Sequence, residues 1–301
     1  MFQFYCGTLS KFPDKIEIKL KHKNIIEYYP SRMNITISDP NKAELFTSVF
    51  KEIKLFTNDV NIMFESERMY IQSMDTSRVM LFEIVFSKEW FDKYEQTVSS
   101  SLGISSILLA KVLGTRDKHQ TIDIQYDNDS DKLSLHFQSN IKGEFTKQFE
   151  IPLMDIESDT LNIPETDYSV EIVMDSDSFM KLMNQFKDFG ENLDIQINQD
   201  KLLFCAKNGE TEKMSVEIKT DDVDSFCIDE DAGTIQLCFS MKYLQNISKY
   251  GKISKKIELK IVEGQPMKIT YFFIDEEHTD KINFFLAPKI GDDDYQTNTI
   301  V

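Results

Sequence analysis

One hydrophobic pattern occurs twice in this chain, 133 positions apart. In the first copy Phe46, Val49, Ile53 and Phe56 are followed by Val60, Ile62, Phe64, Met69 and Ile71. In the second, Phe179, Leu182, Phe186 and Phe189 are followed by Leu193, Ile195, Ile197, Leu202 and Phe204. A single offset carries each apolar position onto its partner without a gap. Identities change while apolar character is kept, so the constraint is a duplicated fold, and it bounds the architecture before any other feature is weighed.

Each copy opens with a helical stripe. Phe46, Val49, Ile53 and Phe56 are spaced i, i+3, i+7, i+10, one face of a 3.6-residue period. Asp39, Pro40 and Asn41 supply cap and first-turn chemistry, as Asp175 and its neighbours do in the second copy. Gly190 is expected to stop the second helix. The period then switches to two: Val60, Ile62 and Phe64 alternate with polar neighbours, and so do Leu193, Ile195 and Ile197. Short polar turns at 65–67 and 198–200 lead into return strands, so each copy reads as a helix followed by an antiparallel hairpin. The pattern continues through Leu108, Val112, Ile122, Ile124, Leu133 and Leu135. At an offset of 134 or 135 these match Tyr243, Ile247, Ile257, Leu259, Met267 and Ile269. Four helix-plus-strands units result, two per half. Alternating strands imply sheets with one wet face and one face on the core. The expected class is α+β, as two duplicated domains with both helices of each on one side of the sheets.

A length of 301 residues fits two domains. Twenty-three Phe and 41% apolar residues suffice for two cores. The expected boundaries are an N-terminal extension at 1–33, a first domain at 34–147, a connector at 148–167, a second domain at 168–290 and a tail at 291–301. Within the extension Ile16, Ile18 and Leu20 alternate with charges and read as a strand. Residues 1–7 are apolar but too short for a secretory signal, and no apolar run approaches the roughly 20 residues of a membrane span. Cys6, Cys205, Cys227 and Cys238 have neither metal-ligand nor disulfide-framework spacing, which fits small buried side chains in a reducing compartment.

The formal net charge of −17 argues for solubility and against nucleic acid. Charge is unevenly spread, however. Over expected helices at 43–56, 105–116, 178–189 and 240–252 the cations are Lys51, Lys54, Lys111, Arg116, Lys181, Lys187, Lys242, Lys249 and Lys252. The acids there are Glu44, Glu52 and Asp188. If all four helices lie on one side, that side is positive in an acidic molecule. Such a face tracks phosphates by counterion release, without reading sequence. The plainer alternative is four ordinary solvated helix faces.

Catalytic chemistry finds no support. There is no GxxxxGK[ST] run to cradle a nucleotide, and His22, His119, His136 and His278 stand apart without HExxH or CxxC companions. No GxSxG elbow surrounds a Ser. The acidic groups at 221–222, 229–231 and 292–294 read as solvent-facing charge rather than metal ligands. No cofactor and no metal is expected.

Three strings are more specific. Leu153-Met-Asp-Ile-Glu157, then Leu161-Asn-Ile163-Pro164-Glu165 and Tyr168, resembles the interdomain connector of the PCNA-type sliding clamps. Ile71-Gln-Ser-Met74-Asp75-Thr-Ser-Arg78-Val79-Met-Leu81 resembles the stretch after that family's first hairpin, and Phe285-Leu286-Ala287-Pro288-Lys289-Ile290 its C-terminal signature. They occur in family order, and the resemblance covers about residues 34–290. Length, divergence and the extension point to a clamp of a large DNA virus, acting inside the host cell, at cytoplasmic replication sites or in the nucleus.

The resemblance implies a homotrimeric ring in which the helices line a hole around double-stranded DNA and the sheets form the outer wall. It implies a DNA polymerase processivity factor, with polymerase and other replication and repair enzymes docking through short peptide motifs. Carried over residue by residue, the docking pocket comprises Met74, Val79, Leu81, Leu161, Ile163, Pro164, Tyr168 and Pro266. Phe285, Leu286, Ala287, Pro288 and Ile290 complete it. The nine cations above fall at or beside the lining. The trimer joint pairs the edge at 143–151, with Phe149, in parallel and head to tail with the edge holding Met214, Val216 and Ile218. Three departures stand out. Residues 1–33 have no family counterpart. Asn184 and Asp188 replace basic or His positions of relatives. Gln199 stands about where cellular clamps carry a modifiable lysine. Two rivals remain open at this point: a monomeric processivity factor gripping DNA by charge, and an acidic protein-interaction module that never touches DNA.

Overall fold

The computed structural model describes residues 32–96, 99–128, 130–157, 160–209, 211–273 and 279–289. Most of the expected extension, including Ile16, Ile18 and Leu20, and the expected tail lie outside these residues. The first half begins with β1 (Arg32–Ile37), two residues earlier than the repeat implied, and α1 (Pro40–Ile53). Strands β2 (Asp59–Phe64), β3 (Arg68–Met74), β4 (Met80–Ser87), β5 (Lys93–Glu95) and β6 (Ser100–Ser105) follow. It closes with α2 (Ser106–Leu113), β7 (Thr121–Asp127), β8 (Lys132–Gln138) and β9 (Lys147–Pro152). The second half repeats this order with β10 (Val170–Asp175), α3 (Ser176–Phe186), β11 (Asn192–Ile197), β12 (Lys201–Asn208), β13 (Glu212–Lys219) and β14 (Ser225–Ile228). Then come β15 (Ile235–Ser240), α4 (Met241–Ser248), β16 (Lys256–Ile261), β17 (Met267–Phe272) and β18 (Lys281–Leu286). The duplicated α+β architecture is therefore present.

Local chemistry explains the helix starts. The Asp39 carboxylate accepts from the N–H groups of Asn41 and Lys42 at 2.7 and 2.9 Å, with Pro40 at the first helical position. Asp175 caps α3 through the Ser178 N–H at 2.7 Å. The first stripe is buried as its period requires: Phe46, Val49, Ile53 and Phe56 all lie in the core. Each such side chain contributes about 1.5–3 kcal/mol when fully buried. The second stripe departs from its copy. α3 stops at Phe186, so Phe189 falls out of register and is 37% exposed, while Met183 takes the core position beside half-buried Leu182. Gly190 does not end the helix. A Cβ there would sit 2.6 Å from the Lys207 carbonyl oxygen, so its lack of a side chain permits a close approach to β12.

Each half builds a five-strand and a four-strand antiparallel array, and one join between halves sets the shape. The first sheet runs β5-β1-β7-β8-β9 and the last β13-β12-β11-β15. Between them β18 pairs antiparallel with β4, from Lys281 opposite Val85 to Leu286 opposite Met80, fusing nine strands into one sheet. Aromatic rings pack beneath this join: Phe56 meets Phe82, Phe284 and Tyr250 at centroid distances of 5.9, 5.5 and 6.3 Å. The buried Tyr250 hydroxyl donates to the Val49 carbonyl at 3.2 Å, tying α1 to the 3-10 turn Lys249–Lys252 that follows α4. α1 packs on α2, α3 on α4, and that turn on both α1 and α3. The helices therefore form one layer across both halves, on one side of the sheets.

Candidate partner groove, helical face and open edges

Residues 148–152 of the expected connector are the edge strand β9. Beyond it the chain crosses the face of β6, β2 and β3 that points away from the helices. The Met154 N–H donates to the Gly103 carbonyl at 2.8 Å. A Cβ on Gly103 would stand 2.2 Å from the Met154 oxygen, so only glycine lets the strand and connector lie so close. The Asn61 amide donates to Ile156 O at 3.0 Å. Gln72 then grips Leu161 twice, accepting its N–H at 2.6 Å and donating to its carbonyl at 2.9 Å. Gln72 also donates to the Tyr70 hydroxyl, which donates to Glu83, and Glu83 accepts from Asn283. This polar chain crosses the β18·β4 join, so the connector's anchor rests on both halves.

The turn after β3 is held by one carboxylate. Asp75 is 4% exposed and accepts the N–H groups of Ser77, Val79 and Met80 at 2.7–2.8 Å. It also accepts the Tyr243 hydroxyl of α4 at 2.6 Å. Burial opposes its ionisation. The bonds from Tyr243, Met80, Ser77 and Val79 outweigh that and hold the carboxyl below its usual value of 3.8. Arg78, at φ 58°, completes the turn in the left-handed region that non-glycine residues rarely enter.

Turn and connector enclose a groove of about 280 Å³. Ten of the expected pocket residues line it: Met74, Val79, Leu81, Leu161, Ile163, Pro164, Tyr168, Pro266, Phe285 and Ala287. Met74 and Leu161 form an apolar rim, 40% and 44% exposed. Three others fall elsewhere. Leu286 is fully buried because β18 alternates, and its side chain points into the core. Pro288 lines a second groove, and Ile290 lies outside the described residues. Sequence reasoning missed Arg78, Met80, Asn162, Thr166 and Gln265 as lining. Arg78, Met80 and Asn162 lie within the quoted strings, where their flanking apolar residues drew the assignment.

The helical face is less basic than expected because the helices are shorter. Within α1 to α4 the cations are Lys42, Lys51, Lys111, Lys181 and Lys242, against Glu44, Glu52 and Asp177. Lys54, Lys187 and Lys249 are C-caps, where a cation complements the helix dipole, and Lys252 follows in the 3-10 turn. Lys54, Lys111, Lys181, Lys187, Lys242 and Lys252 are exposed, Lys51 and Lys249 half-buried. Lys249 donates to the Asn246 side-chain oxygen at 3.2 Å. Arg116 is a correction. Its side chain is 0% exposed, paired with Glu44 and hydrogen-bonded to Thr47 and to the carbonyls of Asp117, Lys118 and Gln120. It fastens α1 to the α2–β7 loop and presents no charge to a ligand.

Strands β9 and β13 end their sheets with unpaired edges. Phe149, Met214 and Val216 are half-buried there, packed on the core from one side, while Ile218 is already 8% exposed. The expected parallel joint does not match the one join of this kind inside the chain, since β18 and β4 run antiparallel.

Among the described residues no helix is long and apolar enough to cross a membrane, and no group of three His, Cys, Asp or Glu side chains is placed to hold a metal ion. Comparison with known proteins agrees with the duplicated fold. The description of the proliferating cell nuclear antigen N-terminal domain matches residues 38–161, and that of its C-terminal domain residues 162–289. A "Probable DNA polymerase sliding clamp 2" of Paramecium bursaria Chlorella virus 1 is 30% identical over 252 residues, covering 83% of this chain and 89% of that protein. A "Proliferating cell nuclear antigen" of Dictyostelium discoideum is 30% identical over 255 residues, covering 83% and 97%. One from Chaetomium thermophilum is 27% identical over 260 residues, covering 84% and 97%. Two family domains in tandem, on a fold duplicated at the same boundary, place this chain in the proliferating cell nuclear antigen family of sliding clamps.

Proposed function

We propose that the chain is a DNA polymerase processivity factor that closes into a homotrimeric ring around duplex DNA and docks replication and repair enzymes in its groove. One observation carries the reading: the β18·β4 join. By the repeat, β18 corresponds to β9 and β4 to β13. Phe284 opposite Phe82 therefore maps onto Phe149 opposite Met214. Antiparallel pairing of β9 with β13 of the next copy repeats the internal join, removes two open edges and, being head to tail, closes a ring. The helical layer then faces the hole.

The modest charge of that layer bears on the monomeric alternative. A monomer must hold DNA by direct attraction, and five lysines against three acids within the helices make a weak grip. A closed ring holds DNA topologically and needs only a lining that does not repel it. The apolar groove with its exposed Met74 and Leu161 rim suits a short helical turn with aromatic anchors, whose peptide supplies most of its affinity from a few buried side chains. We assign no catalytic step and no cofactor. The domain limits proposed are 34–147 and 168–290 around the connector. On length and divergence the chain looks like a clamp of a large DNA virus, specifically that of African swine fever virus, working inside the infected cell. The ring reading is tested by loading the protein on circular DNA and then linearising it. Retention on the circle and loss from free ends is expected. Equal retention on both, with a steep salt dependence, contradicts the ring and supports the monomer.

A further inference from the structure

Under the join between the halves, Phe56 is covered by rings from both. It meets Phe82 of its own half, and Phe284 and Tyr250 of the other, while Tyr250 meets Phe284 at 5.2 Å. The repeat relates Phe56 to Phe189, Phe82 to Met214, Phe284 to Phe149 and Tyr250 to Thr115. The first member of every pair is buried, with Phe56 at 4% exposed. The second members are not. Phe189 is 37% exposed, Met214 and Phe149 are half-buried, and Thr115 is exposed. The packed cluster thus has a second version in the chain, taken apart.

Cover, rather than local backbone, separates the two versions. α1 ends at Ile53 and α3 at the equivalent Phe186. The Phe56 N–H donates to Ile53 O and the Phe189 N–H to Phe186 O, both at 2.9 Å. Both rings therefore leave the same turn, beyond the stripe of their helix, and need cover from elsewhere. Phe56 finds it across the join. The helices show the same contrast. Val49 is fully buried where Tyr250 bonds its carbonyl, whereas its counterpart Leu182 is half-buried.

The missing cover lies at the other open edge. Met214 is on β13 and Phe149 on β9, and both strands end their sheets. The Thr115 carbonyl accepts from Lys147 Nζ of β9, so Thr115 stands beside Phe149's strand. The two edges therefore hold complementary parts of one cluster, and a second copy of this chain supplies what the first lacks. Charge agrees on the outer face. Phe285 opposite Leu81 maps onto Glu150 opposite Lys213, a pair of opposite sign.

We propose that Phe189 anchors the contact between copies, buried against Phe149 and Thr115 of the next copy, which complete around it and Met214 the cluster that surrounds Phe56 within one chain. The proposal rests on the ring reading above and adds a contact beneath the strand pairing, on the side of the helices. An apolar ring held in a fixed turn is a preorganised anchor of the kind that dominates binding energy. The two contacts are unequal. Met214 and Thr115 replace Phe82 and Tyr250, so two rings stand where the join has four. The contact between copies is the thinner version of the join and parts before it.

Light scattering over a dilution series compares the parent with Phe189→Ser. The parent is expected at three chains, and the variant is expected to fall to single chains at a concentration about thirtyfold higher or more. At a dilution where both are single chains, their urea midpoints should agree, because the ring is already exposed there. Placement is read separately with Phe189→p-benzoylphenylalanine. Irradiation should join two chains, with the link mapped by mass spectrometry to the segment holding Phe149. A parent of three chains with a variant that dissociates at the same concentration overturns the anchor and leaves the ring standing. Links confined to one chain overturn it as well. A parent that is a single chain throughout removes the ring reading itself, and the partner of Phe189 with it.

Discussion

Single side chains decide how the partner groove is held. Asp75 joins the turn that carries Met74 and Val79 to Tyr243 of α4, across the two halves. Its carboxyl is held below the ordinary value, so the folded state binds its proton less readily than the unfolded chain does. The resulting stability is fully present above the unfolded value near 3.8 and is lost as pH falls through the folded value. Asp75→Asn is expected to cost about 2 kcal/mol at neutral pH. The gap to the parent chain should narrow in acid, read as urea midpoints against pH. Gln72→Ala removes both bonds to Leu161. Binding of a synthetic apolar helical-turn peptide, followed by fluorescence anisotropy, should weaken about tenfold as the connector loosens. Unchanged affinity would mean that the connector holds its position without this anchor.

The elements were legible in the sequence wherever burial imposes a period. Helices at Phe46–Phe56 spacing, hairpins through Val60, Ile62 and Phe64, and their second copies all occur, because alternation and the 3.6-residue stripe are local consequences of one buried face. Element ends were not legible. α3 stops at Phe186 although the apolar pattern runs on to Phe189, and Gly190 serves a close approach to β12 rather than a helix stop. Nine groove residues were legible in short strings and Pro266 through the resemblance alone, but Leu286 was not separable from them, because alternation along β18 sends neighbours to opposite faces. Nor could charge type reveal that Arg116 is spent inside the fold. Arg116→Ala is expected to destabilise by about 2–3 kcal/mol in chemical denaturation. DNA retention by the protein that remains folded should not change. A DNA defect without a stability change would return Arg116 to the lining.

At the scale of the whole molecule, the β18·β4 join is the least legible feature and the most consequential. Pairing between strands almost 200 residues apart leaves no local pattern, and neither its antiparallel direction nor the nine-strand sheet was readable beforehand. In the proposed ring the same join is the template for assembly. Charge reversal at Lys51, Lys111 and Lys242 together should reduce loading on circular DNA about tenfold or more and leave the subunit contacts intact. Undiminished loading would remove the helical layer from the hole. The central claim, that open β9 and β13 edges close a ring, rests on the number of copies. The direct measurement is molar mass by light scattering on the parent chain and on Met214→Asp, which places a charge opposite Phe149. The account predicts about three times 35.1 kDa for the parent and a folded single chain for the variant. A parent mass of one chain at micromolar concentration would contradict it.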